Sequence, residues 1–288
     1  MNVGTSAADL ERRPRAVAIG TFDGVHRGHQ RVIAAAVDSG LTPTVVTFDP
    51  HPRIALGYGV ELLSTLERRL ELFAMLGVED TLVVPFDHEL QQREPEDFAR
   101  DTLGAIGAEI VVAGETFRFG HRRRGSLALL RELGFDARAV PFLEGVSSTE
   151  IRRLLHEGDV VAAAAMLGRP PEIDGTVVVG DERGGTLGFP TANVAVEPNL
   201  LVPAFGIYAG SALGTAAAIS IGMNPHYGGR ERKIEAFLLD FEGDLYGQRL
   251  VVELWRYLRE ERAFESEQAL IDQIARDVEA TRAATRPG

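Results

Sequence analysis

The chain has 288 residues and no cysteine. That removes disulfides, thiolate metal sites and thiol nucleophiles together, and fits a reducing compartment. Lysine is nearly absent too: Lys233 is the only one, and arginine carries the rest of the positive charge. Positive charge is in short supply overall, with a formal net of −12. A phosphate polymer meets repulsion from such a field, so nucleic acid is not an expected partner. The run His121-Arg122-Arg123-Arg124 reflects the arginine bias and does not change that expectation. No segment approaches the roughly 20 apolar residues that cross a bilayer. Residues 1–15 hold no apolar block of the secretory kind and read as a loose polar tail. No membrane association is expected, and the expected location is the cytoplasm.

What is present is enough apolar residue, 45%, for a sizeable core, and a length that suggests two domains. Over residues 15–140, short apolar runs alternate with helical periods. Strands are expected at 16–19, 44–48, 81–86 and 110–113, and helices at 30–37 and 66–76. Strand followed by helix, repeated, implies a parallel sheet with crossover helices. A helical stretch, 150–167, is broken at Gly158-Asp159, and Arg169-Pro170-Pro171 then reads as a boundary. Beyond it the pattern becomes β-branched and alternating, at 176–179, 206–213, 215–221, 234–241 and 249–255, with a final helix at 266–283. That grammar predicts an antiparallel barrel.

The first chemical segment is Gly20-Thr21-Phe22-Asp23-Gly24-Val25-His26-Arg27-Gly28-His29, between a strand and a helix. A helix N-terminus offers free N–H groups and partial positive charge to a phosphate. Gly24 and Gly28 let the backbone approach closely, and His26 and His29, three apart, share a face. On residue types alone three readings stay open: phosphate stabilisation, a metal held by the histidines with Asp23, or ordinary capping and surface residues. The absence of a third histidine at ligand spacing weakens the metal reading. The string resembles the signature of the HxGH nucleotidyltransferases and, among them, the flavin adenylyltransferases. That resemblance implies that His26 and His29 stabilise the α-phosphate of ATP, with Gly20, Phe22, Asp23 and Gly28 lining the nucleotide site.

Three further segments follow in the order of the bacterial bifunctional members of that family. They are Thr47-Phe48-Asp49-Pro50-His51-Pro52, Gly114-Glu115-Thr116-Phe117-Arg118-Phe119-Gly120 and Ser147-Ser148-Thr149-Glu150-Ile151-Arg152. The last has capping-box spacing between Ser147 and Glu150 and reads equally as a well-capped helix. The resemblance adds a grip on the triphosphate by Ser147, Ser148, Thr149 and Arg152. Thr116 and Ser126 stand where the family more often has Asp or Asn and Asp, and residues 57–59 read as a shortened loop.

The second chemical segment, Gly188-Phe189-Pro190-Thr191-Ala192-Asn193, follows a glycine-rich stretch, 180–187. It is not a Walker loop, since Gly-Lys-Ser/Thr is missing. Its wording resembles the riboflavin kinase signature. The resemblance implies that Thr191 and Asn193 hold Mg²⁺ and that Gly188 and Pro190 meet the nucleotide. Residues 201–210, 219–225 with Asn224, 234–240 and 244–247 continue the match. Glu235 is the implied general base, and Arg259 is either a flavin or nucleotide contact or an exposed arginine.

The resemblance is collinear over residues 16–283 and is to the bifunctional bacterial riboflavin kinase/FAD synthetase family. It implies an α/β plus β architecture. A Rossmann-like parallel-sheet nucleotidyltransferase domain (1–169) would make FAD from FMN. An antiparallel barrel with a C-terminal helix (170–288) would make FMN from riboflavin. ATP is the co-substrate in both, with Mg²⁺. Two alternatives are a kinase whose adenylyltransferase half has decayed, motivated by Thr116 and Ser126, and a flavin-binding sensor without turnover.

Overall fold

The computed structural model describes residues 1–180, 189, 191–223 and 232–288. Packing divides the chain into residues 1–60 with 66–146, and residues 61–65 with 147–288. Residues 147–169, expected with the first domain, therefore pack with the second unit.

The first unit runs β1 (Asn2–Gly4), β2 (Arg15–Ile19), α1 (Arg27–Val37), β3 (Thr42–Asp49), α2 (Pro52–Ala55), α3 (Leu66–Met75), β4 (Asp80–Pro85), α4 (His88–Gln92), α5 (Pro95–Phe98), β5 (Ala108–Gly114), α6 (Leu127–Glu132) and β6 (Asp136–Val140). All six strands are parallel, in the order β1-β4-β3-β2-β5-β6. Strands covered on both faces carry apolar residues on both, and these do. Val17, Ile19, Val46, Leu82 and Val111 meet one core with Phe98 and Leu130. Ala16, Ala18, Val45, Ile110 and Val112 meet the other with Val32 and Ile33 of α1 and Phe73 of α3.

The N-terminal segment is not the loose tail expected. β1 pairs with β4, and the Asn2 amide donates to Asp80 at 2.7 Å. Asp80 is buried with Arg15, which donates to it, as does Arg13 at 2.6 Å. Burial alone raises the Asp80 carboxyl, but the hydrogen bonds from Arg13, Arg15 and Asn2 together outweigh it and lower it to about 2.

The strand order reverses at β2: the chain moves outward through β3 and β4, then returns to β5 on the other side. Open α/β sheets leave a ligand crevice at the carboxyl ends of the strands flanking such a switch. The three marked segments of this unit all start there, at the ends of β2, β3 and β5.

The second unit contains α7 (Ser148–His156), α8 (Val160–Leu167), β7 (Glu172–Val178), β8 (Ala192–Val196), β9 (Gly206–Ala212), β10 (Thr215–Met223), β11 (Arg232–Leu238), β12 (Arg249–Arg259) and α9 (Glu267–Ala283). The strands close into an antiparallel barrel, β10-β11-β8-β7-β12-β9. Alternation selects the inside: Ile219, Ile221, Ile234, Ala236, Leu238, Val252 and Leu254 point to the core, and α7 and α8 add Ile151, Leu155 and Val160 to it.

Segment 61–65 joins this unit through Leu63, packed against the barrel core, and through polar contacts. Leu62 bridges to Leu200, and the buried Asp174 carboxylate accepts from Thr65 and from the Arg249 fork at 2.8 and 2.9 Å. The residues of α9 that are most buried are polar, Gln273, Asp277 and Thr281. Asp277 receives Arg259 Nε at 3.0 Å and Nη2 at 2.6 Å, so a charged fork rather than an apolar stripe fastens this helix.

Candidate active sites

The first site is built on the turn between β2 and α1. Phe22 and Val25 lie in the left-handed region, with φ of 50° and 42°. For a β-branched residue that conformation is costly, of order 1–3 kcal/mol, and persists only where surroundings enforce it. Here Val25 N–H donates to the Phe22 carbonyl at 3.0 Å, and Gln30 donates to the Val25 carbonyl at 2.9 Å. The buried Phe22 ring lies edge-on to Phe73 at 5.7 Å and to His29 at 5.4 Å.

The strained turn delivers the two histidines side by side. His26 is not on the helix but caps it: its Nδ1 accepts the His29 backbone N–H at 3.3 Å. A neutral His26 therefore carries its ring proton on Nε2. The helix starts at Arg27, earlier than the expected residue 30, because this cap is the histidine itself. The two rings stack, centroids 3.6 Å apart and 17° from parallel. Gly28 makes room for that stack, since a Cβ there would lie 3.1 Å from His26 Cε1. His29 Nδ1 is buried and finds no partner among the described residues. Burial first, then the neighbouring charges of His26 and Arg69, hold the His29 ring well below the usual imidazole range. The ring is thus neutral near pH 7 and has hydrogen-bonding capacity to spare. Asp23 of the same turn is buried, and Gly20 N–H is tied to the Val46 carbonyl at 3.1 Å.

Arg69 was not among the expected site residues, yet it is buried in α3 behind this turn. Its Nη1 donates to the Thr21 carbonyl at 2.9 Å, and its Nη2 approaches Asp49 at 3.4 Å. A signal existed: the apolar set Leu72, Phe73 and Leu76 has an arginine at its helical i−3 position. His51, from the second marked segment, is also buried and caps α2 by accepting the Arg53 N–H at 3.2 Å. Glu115 and Thr116 are exposed. Ser126 caps α6, its hydroxyl accepting the Leu129 N–H at 3.3 Å. Ser and Asp are near-equal in that role, so the replacement of Asp preserves the helix.

Ser147 caps α7 as expected, accepting the Glu150 N–H at 3.1 Å, and Ser148 and Thr149 form its first turn. The Glu150 carboxylate pairs with Arg153 at 2.5 Å. Arg152 Nε donates to the Glu61 carbonyl at 2.6 Å, within the second unit.

The second site lies on the outer face of the barrel. Glu235 in β11 stands opposite Asn193 in β8 and Ser220 in β10. Facing residues in a ladder share one side, so the three project together. Thr191 donates its hydroxyl to Glu235 Oε1 at 3.3 Å. Gly180 lies against Asn193 so closely that a Cβ would fall 2.0 Å from its amide nitrogen. Phe189 and Phe237 meet edge to face at 5.4 Å beside these groups. Strand β8, not expected from the alternation pattern, is what carries Asn193. Gly188, Pro190 and Asn224 lie outside the described residues. Arg259, the other expected contact, spends its guanidinium on Asp277 and lies 5.8 Å from the Phe264 ring centre.

A Mg²⁺ ion fits this donor set. Thr191 gives its proton to Glu235 and keeps oxygen lone pairs, and Asn193 offers an amide oxygen. Hard oxygen donors, few in number, suit an ion that takes most of its shell from phosphates and water. No group of three or more His, Asp or Glu side chains able to hold a metal occurs among the described residues.

Comparison with known proteins finds relatives for both halves of the chain. The model of a riboflavin kinase family matches residues 167–285, and that of an FAD synthetase family matches residues 9–150. A bifunctional riboflavin kinase/FMN adenylyltransferase from Listeria monocytogenes is 36% identical, over 93% of this chain and 92% of its own length. The chain belongs to the bifunctional riboflavin kinase/FMN adenylyltransferase family. The Escherichia coli K12 member is 36% identical over 91% of this chain and 90% of its own length. A solved structure titled macrolide-efflux protein, from Streptococcus pneumoniae, superposes with a TM-score of 0.85 at 30% identity, over 97% of this chain and 98% of that one. No helix among the described residues is long and apolar enough to cross a membrane.

Proposed function

We propose that this chain phosphorylates riboflavin to FMN on the barrel and adenylylates FMN to FAD at the stacked histidines, using ATP in both steps. The observation that carries the reading is the convergence of Glu235 on β11 with Asn193 on β8 and Thr191 just before it, on one outer face of the barrel. A primary hydroxyl is a poor nucleophile. The Glu235 carboxylate takes its proton as the new O–P bond forms to the γ-phosphorus, and the β–γ bridging bond breaks to release ADP. Thr191 and Asn193 would hold Mg²⁺, which when bound neutralises phosphate charge.

In the first unit His26 and His29 serve a different need. The FMN phosphate attacks the α-phosphorus of ATP, and pyrophosphate leaves with the bond to the β-phosphate. Charge builds on the α-phosphate oxygens, and preorganised ring N–H groups stabilise it without prior reorganisation. The neutral His29 ring, fixed against Phe22 and His26, is such a donor. Asp23, Gly20, Phe22 and Gly28 shape the turn around it. Ser126 supplies the same helix cap that an Asp would supply there. A cytoplasmic location goes with this reading.

The test supplies purified protein with riboflavin, ATP and Mg²⁺ and separates riboflavin, FMN and FAD by chromatography. FMN followed by FAD is the expected result. FMN alone would leave only the kinase, and no turnover would overturn the reading in favour of a flavin-binding protein.

A further inference from the structure

The only lysine of the chain stands two residues before Glu235 on the same strand. Residues i and i+2 of a strand share a face, and Lys233 and Glu235 point outward while Ile234 and Ala236 fill the core. Lys233 Nζ lies 3.3 Å from Glu235 Oε1, the oxygen that also accepts from Thr191. The two side chains are only 23% and 29% exposed, so water screens this pair less than it does an open surface pair. Both donors reach Oε1.

We propose that Lys233 is a positioning residue: with Thr191 it holds Oε1, fixes the plane of the carboxylate, and leaves Oε2 open as the atom that receives the riboflavin hydroxyl proton. The inference rests on the reading of the barrel as a kinase. It also accounts for a lysine in a chain that otherwise uses arginine. A guanidinium presents a planar fork that grips both oxygens of a carboxylate and would occupy Oε2. An ammonium is a compact point charge that satisfies one oxygen.

The test uses full-length Lys233→Met and Lys233→Arg. Riboflavin phosphorylation by Lys233→Met should fall about ten- to a hundredfold in kcat, the scale of lost general-base alignment, with the riboflavin KM changed less than about threefold. Conversion of FMN to FAD by the same preparation should be unchanged, which controls for folding. Lys233→Arg keeps the charge yet should also lose kcat. Wild-type kcat in Lys233→Arg would mean that charge alone suffices, and would overturn the single-oxygen argument; wild-type kcat in Lys233→Met would overturn the proposal outright. A second readout exploits the lone lysine. Protein labelled with ¹⁵N-lysine gives one side-chain amine signal, which should shift in Glu235→Gln. A signal that stays in place would show the pair absent in solution. The two readings fail separately: Glu235→Ala that still makes FMN sinks the kinase assignment, whereas its loss with intact Lys233→Met sinks only the role of Lys233.

Discussion

The two candidate sites are made in opposite ways. In the first unit, the candidate groups are concentrated in ten consecutive residues and packed inward: Phe22 and Asp23 are buried, Phe22, Gly24 and Val25 sit at positive φ, and the histidines stack. In the barrel, the groups come from distant stretches of sequence, stand on the outer face and remain partly exposed. The first arrangement uses backbone strain, offset by surrounding packing, to hold rings in place. The second uses the ladder of a closed sheet, whose register sets which residues face one another. A site fixed by a tight turn is sensitive to small steric changes, and a site fixed by register is sensitive mainly to loss of the reacting groups.

The sharpest break between them is functional. Glu235→Ala should lower FMN formation by about a thousandfold or more while leaving FAD formation from FMN within about twofold. His29→Ala should do the reverse, with a loss of about a hundred- to a thousandfold, as for removal of one preorganised donor. Product chromatography from each starting flavin checks both.

Acid sharpens the contrast next. The Asp80 carboxyl is lowered from 3.8 to about 2 by Arg13, Arg15 and Asn2 against the cost of burial. A lowered carboxylate adds stability that is present in full above its unfolded value and is lost as pH falls through the folded one. Stability of the first unit should thus drop by about 2 kcal/mol between pH 4 and about 2. Acid unfolding followed by tryptophan-independent far-ultraviolet circular dichroism, with Asp80→Asn lacking this component, is the check.

Smaller effects probe the turn itself. Gly28→Ala places a methyl 3.1 Å from His26 Cε1 and should reduce FAD formation roughly tenfold, with FMN formation unchanged, since small misplacements of reacting groups are costly. The smallest effect concerns Ser126. Ser126→Ala should cost about 1 kcal/mol in thermal or denaturant unfolding, and Ser126→Asp close to nothing.

The same contrast explains what was legible in the sequence. The β2–α1 segment could be read because its residues are contiguous and sit between a buried strand and a helix start. The parallel sheet and the barrel followed from two different apolar periods. Three strands did not. β1 is too short for a period to show, β6 reads Asp-Ala-Arg-Ala-Val with charges suited to its edge position, and β8 was hidden inside the phosphate-loop signature. Arg69 and Lys233 were missed for a related reason: each acts by touching a group far away or two residues along, and spacing does not reveal contact. The packing of α7 with the second unit was missed as well, because its fastening, Arg152 to the Glu61 carbonyl, lies across ninety residues of chain. Arg259, legible as a basic residue within the family match, pairs with Asp277 of α9.

The most direct test of two separate sites mixes Glu235→Ala and His29→Ala proteins with riboflavin, ATP and Mg²⁺. Neither alone should convert riboflavin to FAD, and the mixture should, because FMN made on the barrel of one protein is adenylylated by the other. A mixture that yields no FAD, or single variants that each lose both steps, would contradict the account.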